Sequence, residues 1–129
     1  DFADDEPTVA ILKHNTPCGV GGGDSVLAAW RNAFATDPES PFGGIVIANR
    51  TWDLELAREV DEIFTEVLIA PDFTAEALEL LRRKKNRRLM RWDVAATRGF
   101  AGREVRGVFG GLLAMDGDLA MEDVRTARV

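Results

Sequence analysis

Several things are scarce in this 129-residue sequence, and each scarcity narrows its chemistry. There is one cysteine, Cys18, so neither an internal disulfide framework nor a multi-cysteine zinc site can form within the chain, which fits a reducing compartment. There is one histidine, His14, so any catalytic scheme has a single imidazole to use. No apolar stretch approaches the roughly 18 residues a membrane helix needs. The lead-in DFADDEP is acidic where a signal peptide is basic, and a cytoplasmic protein is expected. Positive charge is also short. Sixteen Lys and Arg against 22 Asp and Glu leave a net charge of −6, which argues against general nucleic-acid binding because phosphate contacts need a basic footprint.

With 46% apolar and 29% charged residues, 12 Gly and 5 Pro, the chain has the balance of an ordinary globular protein, and one domain over residues 1–129 is expected. The charge is unevenly spread. Residues 1–81 carry 4 basic and 16 acidic side chains, whereas residues 82–129 carry 12 basic and 6 acidic. The run Arg82-Arg83-Lys84-Lys85-Asn86-Arg87-Arg88 is the local exception to an acidic chain. Cations favoured at a helix C-terminus and a solvated surface account for it more simply than nucleic acid or polyphosphate.

The chain is organised around VAILKHNTPCGVGGGD, residues 9–24. An apolar run predicts a buried strand ending at Lys13-His14, after which Pro17 and Gly19 lead into a glycine-rich loop. Asp24 or Ser25 can cap the helix predicted over Ser25–Ala35, whose apolar residues recur at helical spacing. Thr36-Asp37-Pro38 ends it, and Ser40-Pro41-Phe42-Gly43-Gly44 makes a tight turn. Short apolar runs at Ile45–Ala48, Val67–Ala70 and Leu89–Trp92 predict three more strands. Helices capped by Asp53 and Thr74 separate them. Residues 95–107 read as an irregular excursion. Val108–Met115 reads as a last strand, with a bulge or close backbone approach at Gly110-Gly111. This order predicts an α/β fold with a mostly parallel sheet. Ligands of such sheets sit at the strands' carboxyl ends, where Lys13-His14, Asn49-Arg50 and Ala70-Pro71 fall.

His14 has the side chain best suited to proton transfer near neutrality. An adjacent Lys13 favours its neutral form and can stabilise an oxyanion or hold a phosphate. The plain alternative is a structural hydrogen bond at a strand end. The glycine run is either an anion cradle or a simple turn: Asp24 stands where a dinucleotide fingerprint needs its third glycine, and no P-loop lysine follows. Cys18 reads as a small buried residue, and Ser25 and Ser40 have no histidine–acid partners. Trp30, Phe34 and Phe64 fall on apolar helix faces and read as core.

Lys13-His14-Asn15-Thr16-Pro17-Cys18-Gly19, Thr36-Asp37-Pro38 with Pro41-Phe42-Gly43-Gly44, and Glu66-Val67-Leu68-Ile69-Ala70-Pro71 together resemble the aminoimidazole carboxamide ribonucleotide (AICAR) formyltransferase family. That family is the transformylase part of a bifunctional purine-biosynthesis enzyme that also carries inosine monophosphate cyclohydrolase. Lys84-Lys85-Asn86 with Arg88, then Phe109-Gly110-Gly111-Leu112-Leu113 with Asp116, continue the resemblance in order. It covers nearly the whole chain. It implies a three-layer α/β/α, cytidine-deaminase-like fold, and formyl transfer from 10-formyltetrahydrofolate to the 5-amino group of AICAR, with no metal. It implies His14 as the base on the amine, Lys13 as the stabiliser of the formyl oxygen, and Gly43 and Glu66 as further nucleotide contacts.

The resemblance is to the first of the family's two similar transformylase halves. It implies that the cyclohydrolase domain and the second half, which carries groups that complete a site assembled across a homodimer, lie outside these residues. An excised domain with little or no turnover alone is therefore expected. A zinc nucleotide deaminase needs His-x-Glu and paired cysteines, and Asn15-Thr16 and a lone Cys18 do not supply them. A non-catalytic nucleotide-binding or interaction module is the remaining alternative.

Overall fold

The computed structural model describes residues 5–93 and 102–117. The chain divides into two compact units, residues 1–94 and 95–129. In the first, five strands form one sheet in the order β2-β1-β3-β4-β5: β1 Thr8–Lys13, β2 Thr16–Gly22, β3 Gly44–Ala48, β4 Thr65–Ala70 and β5 Arg88–Arg91. β1 is antiparallel to both neighbours, whereas β3, β4 and β5 pair in parallel. Four strands thus share one direction and β1 alone is reversed, which makes a mixed but mostly parallel sheet. The reversal follows from β2, a strand whose composition is that of a glycine loop.

The connections β2-α1-β3, β3-α2-β4 and β4-α3-β5 all step the same way across the sheet, so right-handed crossovers put their helices on one face. Helix α1, Val26–Thr36, is capped by Ser25, whose side chain accepts from the Ala28 N–H at 3.1 Å. Helix α2, Leu54–Asp61, is capped by Asp53 on Leu56 at 2.8 Å, and α3, Ala75–Leu81, by Thr74 on Ala77 at 3.3 Å. Each cap satisfies an N–H that has no partner within the helix. Arg31 of α1 pairs with Glu59 of α2 across the helical layer.

The core lies between these helices and one face of the sheet. Val9, Ile11, Val46 and Leu68 meet Trp30, Leu56, Val60 and Leu81, all buried. Trp52, absent from the sequence-based core, is fully buried on Phe73 with ring centroids 5.8 Å apart. Alternation leaves Ala10, Leu12, Ile45, Ile47, Val67 and Ile69 on the other face, only half-buried. The described elements of this unit make a helical layer and a sheet layer, and the third layer of the expected α/β/α arrangement is not among them. Phe64, expected in the core, follows α2 and is 42% exposed.

In the second unit the described residues form a hairpin, β6 Arg103–Val108 antiparallel to β7 Gly111–Asp116. Val108–Met115 is therefore not one strand with a bulge. Phe109-Gly110 is the turn, and Gly110 adopts φ +84°, a region open to glycine because it has no Cβ. Part of the expected irregular excursion, Arg103–Gly107, is strand, and residues 94–101 lie outside the described residues.

Candidate functional site

Lys13 and Thr16 pair across the β1–β2 hairpin, so His14 and Asn15 are the two residues of its turn. Both have positive φ, 51° and 65°, the backbone of a two-residue turn whose twist matches the strands. Histidine and asparagine tolerate this left-handed region better than most residues. His14 consequently stands exposed at the tip, and its side chain makes no hydrogen bond to a described residue. Lys13, half-buried behind it, donates its ammonium to the Phe42 carbonyl at 2.9 Å.

Phe42 is presented by a turn in which Asp37, expected only to help stop α1, has a second task. Asp37 Oδ1 accepts from the N–H groups of Ser40 and Glu39, at 3.0 and 3.1 Å, and the Ser40 hydroxyl donates to its other oxygen. The Ser40 hydrogen bonds hold the Asp37 carboxyl below its ordinary range. The chain then reaches Gly43 at φ +72°, where the Gly43 N–H donates to the Phe64 carbonyl at 2.8 Å and the rings of Phe42 and Phe64 lie 5.4 Å apart. Two residues past Phe64, Glu66 is exposed on β4, 4.0 Å from Arg88 of β5.

Lys13, His14, Gly43 and Glu66 therefore gather along one edge of the sheet, at the end of β1 and the beginnings of β3 and β4. Because β1 is reversed, Asn49-Arg50 and Ala70-Pro71 lie at the opposite edge, which corrects the expectation that all three strand ends meet. Asn49 serves the N-terminal segment there: its Oδ1 accepts from the Thr8 N–H at 2.8 Å and its Nδ2 donates to the Glu6 carbonyl at 2.9 Å.

The anion-cradle reading of the glycine run does not survive. Gly22 belongs to β2 but faces the Glu6 side chain, whereas Gly19 and Gly21, also in β2, lie against α1. A Cβ on Gly21 would fall 2.4 Å from Ala33 N and 2.6 Å from Ala29 O, and one on Gly19 would fall 2.3 Å from Ala33 O. They are glycine because strand and helix backbones touch. Cys18 is half-buried, its Sγ 3.5 Å from the Ile11 carbonyl.

The basic run is not the last turn of α3 but the loop after it and the first residue of β5, and it splits in two. Lys84 and Arg87 turn inward to Asp61, at 3.2 and 2.7 Å. Burial alone would raise the Asp61 carboxyl, but hydrogen bonds from Arg87 and Lys84 outweigh it and hold Asp61 below its ordinary range. Lys85, Asn86 and Arg88 instead face an open cleft of about 450 Å³, shared with Phe64, Glu66 and Arg87. Among the described residues, no three His, Cys, Asp or Glu side chains are grouped to hold a metal ion.

The mixed, mostly parallel sheet with its helices is a deaminase-like α/β fold. The dCMP deaminase of cyanophage S-TIM5, solved with dCMP and dUMP, superposes with a TM-score of 0.55 over 69% of this chain and 82% of its own, at 10% identity, a likeness of fold alone. Sequence kinship is closer: residues 1–129 match the model of the AICARFT/IMPCHase bienzyme, and the chain belongs to that family. It is 50% identical over 118 residues to the bifunctional purine biosynthesis protein PurH of Chloroflexus aurantiacus and 45% identical over 119 residues to that of Limosilactobacillus reuteri. Each match covers 92% of this chain and 23% of the relative, so the chain spans about a quarter of those proteins.

Proposed function

We propose that this chain is the first half of a transformylase region in purine biosynthesis and carries the proton-transfer pair for formyl transfer from 10-formyltetrahydrofolate to AICAR. The observation that supports this most is the meeting of Lys13, His14, Gly43 and Glu66 at one sheet edge, with His14 exposed and unengaged. An aromatic amine is a weak nucleophile, so the step needs a base and an oxyanion stabiliser. His14 takes the proton as the 5-amino nitrogen attacks the formyl carbon. Lys13, held by the Phe42 carbonyl, stabilises the negative charge gathering on the formyl oxygen. Collapse expels the tetrahydrofolate nitrogen, which recovers a proton, and the formyl group stays on the amine. Gly43 and Glu66 contact the nucleotide. The second transformylase half, and a homodimer, supply the remaining groups in a cytoplasmic parent protein.

The test is a titration of the His14 ring resonances with AICAR, with inosine monophosphate and inorganic phosphate as controls, followed by His14→Asn in the longer parent. Asparagine keeps the left-handed turn while removing the base. A saturable shift specific to AICAR, and a loss of kcat of about 100-fold or more with KM little changed, are expected. Unchanged kcat in His14→Asn overturns the assignment. It would leave nucleotide binding without catalysis.

A further inference from the structure

We propose that Asp37 is a positioning residue for formyl transfer, acting through Ser40 and the Phe42 carbonyl to hold the Lys13 ammonium where the formyl oxygen gathers charge. The inference rests on the formyl-transfer reading above and adds to it a residue that touches no substrate. A lysine head group ends a long flexible stem, so an oxyanion stabiliser of this kind must be held before the charge develops. Among the described residues its one hydrogen-bond partner is the Phe42 carbonyl, at 2.9 Å. An ammonium carries more N–H donors than this carbonyl takes up, which leaves donors for a substrate. Where the carbonyl points therefore decides where the free donors point.

The Phe42–Gly43 peptide group is fixed from both ends. Its N–H donates to the Phe64 carbonyl at 2.8 Å, and its C=O accepts from Lys13. A peptide group that donates at one end is a stronger acceptor at the other. Upstream, Asp37 closes the turn by accepting from the Ser40 and Glu39 N–H groups, at 3.0 and 3.1 Å, and from the Ser40 hydroxyl. Pro41 carries that hold forward to Phe42: its side chain is fully buried, and its carbonyl accepts from the Gly44 N–H at 2.9 Å. Asp37 itself rests on a firm base, as the residue that ends α1. Beside it the Thr36 hydroxyl donates to the Cys18 carbonyl at 3.2 Å, tying this end of α1 to the hairpin that carries Lys13 and His14. The Ser40 hydrogen bonds and, less strongly, the Lys13 charge hold the Asp37 carboxyl below its ordinary range. Pro38 already stops α1, so helix termination alone does not call for a carboxylate with both oxygens on Ser40.

The experiment pairs NMR relaxation of the Lys13 Cε methylene in the 129-residue chain with steady-state kinetics of the longer parent. Asp37→Ala should lower the Lys13 order parameter and reduce kcat by about tenfold or more with KM little changed, because the misplaced donor acts on the transition state. Asp37→Asn keeps an acceptor for both N–H groups, so it should restore the order and most of kcat. Ser40→Ala removes only the hydroxyl's bond and should fall between the two. Unchanged β1 and α1 amide resonances verify folding, and if Asp37→Ala alters them the Ser40→Ala result decides. Lys13 order unchanged by Asp37→Ala, or Asp37→Asn as damaging as Asp37→Ala, overturns the inference. Lys13→Met tests the reading beneath it separately. A collapsed kcat in Lys13→Met beside an intact one in Asp37→Ala overturns the positioning role alone. An unchanged kcat in Lys13→Met overturns the formyl-transfer role of Lys13, and with it the catalytic purpose of Asp37, whatever the order parameters show.

Discussion

At the scale of single residues, backbone geometry explains identities that side-chain chemistry alone does not. Gly21 faces the backbone of α1, where a methyl group would sit 2.4 Å from Ala33 N. Gly21→Ala must push the helix off the strand and is expected to cost about 2–3 kcal/mol in urea unfolding. Gly107, where an added methyl group would meet nothing within 4 Å, is the control, expected to change by less than about 0.5 kcal/mol. Asn15, at φ 65°, should accept glycine at little cost, whereas Asn15→Val should lose about 1–2 kcal/mol because a branched side chain is poorly tolerated there. The same backbone turns His14 outward, so strain and candidate function share one two-residue turn.

At the scale of elements, Asp61 ties the end of α2 to the approach to β5. Asp61→Asn leaves the nearly fully buried Arg87 without its counter-charge, and about 2–4 kcal/mol of destabilisation is expected near neutral pH. The pH dependence has a definite sign. The folded carboxyl is held below its unfolded value, so the charged form favours the fold. That stabilisation is fully present above the unfolded pKa, about 4, and is lost as pH falls through the lower folded value. The gap between the native chain and Asp61→Asn should therefore be widest above about pH 5 and narrow steadily in acid, as urea midpoints across pH would show. A gap independent of pH would mean that packing, not charge, holds this junction. Asp53→Ala removes the α2 cap and should cost about 1 kcal/mol.

At the scale of the whole molecule, the site has one well-built side. One sheet edge presents His14, Gly43, Glu66 and the basic cleft, while the face carrying Leu12, Ile45, Ile47, Val67 and Ile69 is only half-buried within its unit. The chain spans 23% of its Chloroflexus relative, and its candidate site is assembled from one short stretch of that length. On the proposed function, the 129 residues alone should bind AICAR weakly and show little or no formyl transfer, while the longer parent turns over. Robust turnover by the isolated chain, measured as tetrahydrofolate release, would contradict the division of the site between halves.

The strands at Thr8–Lys13, Gly44–Ala48, Thr65–Ala70 and Arg88–Arg91 and the caps at Ser25, Asp53 and Thr74 are legible in the sequence because burial patterns and capping chemistry are local. The motifs that bring Lys13, His14, Gly43 and Glu66 to attention, and the kinship they carry, are legible for the same reason: each is a short string of residue types. β2 is not, because a strand rich in glycine has the composition of a loop, and only the α1 backbone lying against it shows why glycine is needed. With β2 hidden, the reversal of β1 is hidden too. Strand direction is a property of pairing between distant segments, so the sequence by itself named the candidate residues, and only the tertiary structure decided which edge of the sheet collects them. The sorting of the basic run was decided the same way, because the partner that turns Lys84 and Arg87 inward, Asp61, is over 20 residues away in the chain and adjacent only in the fold.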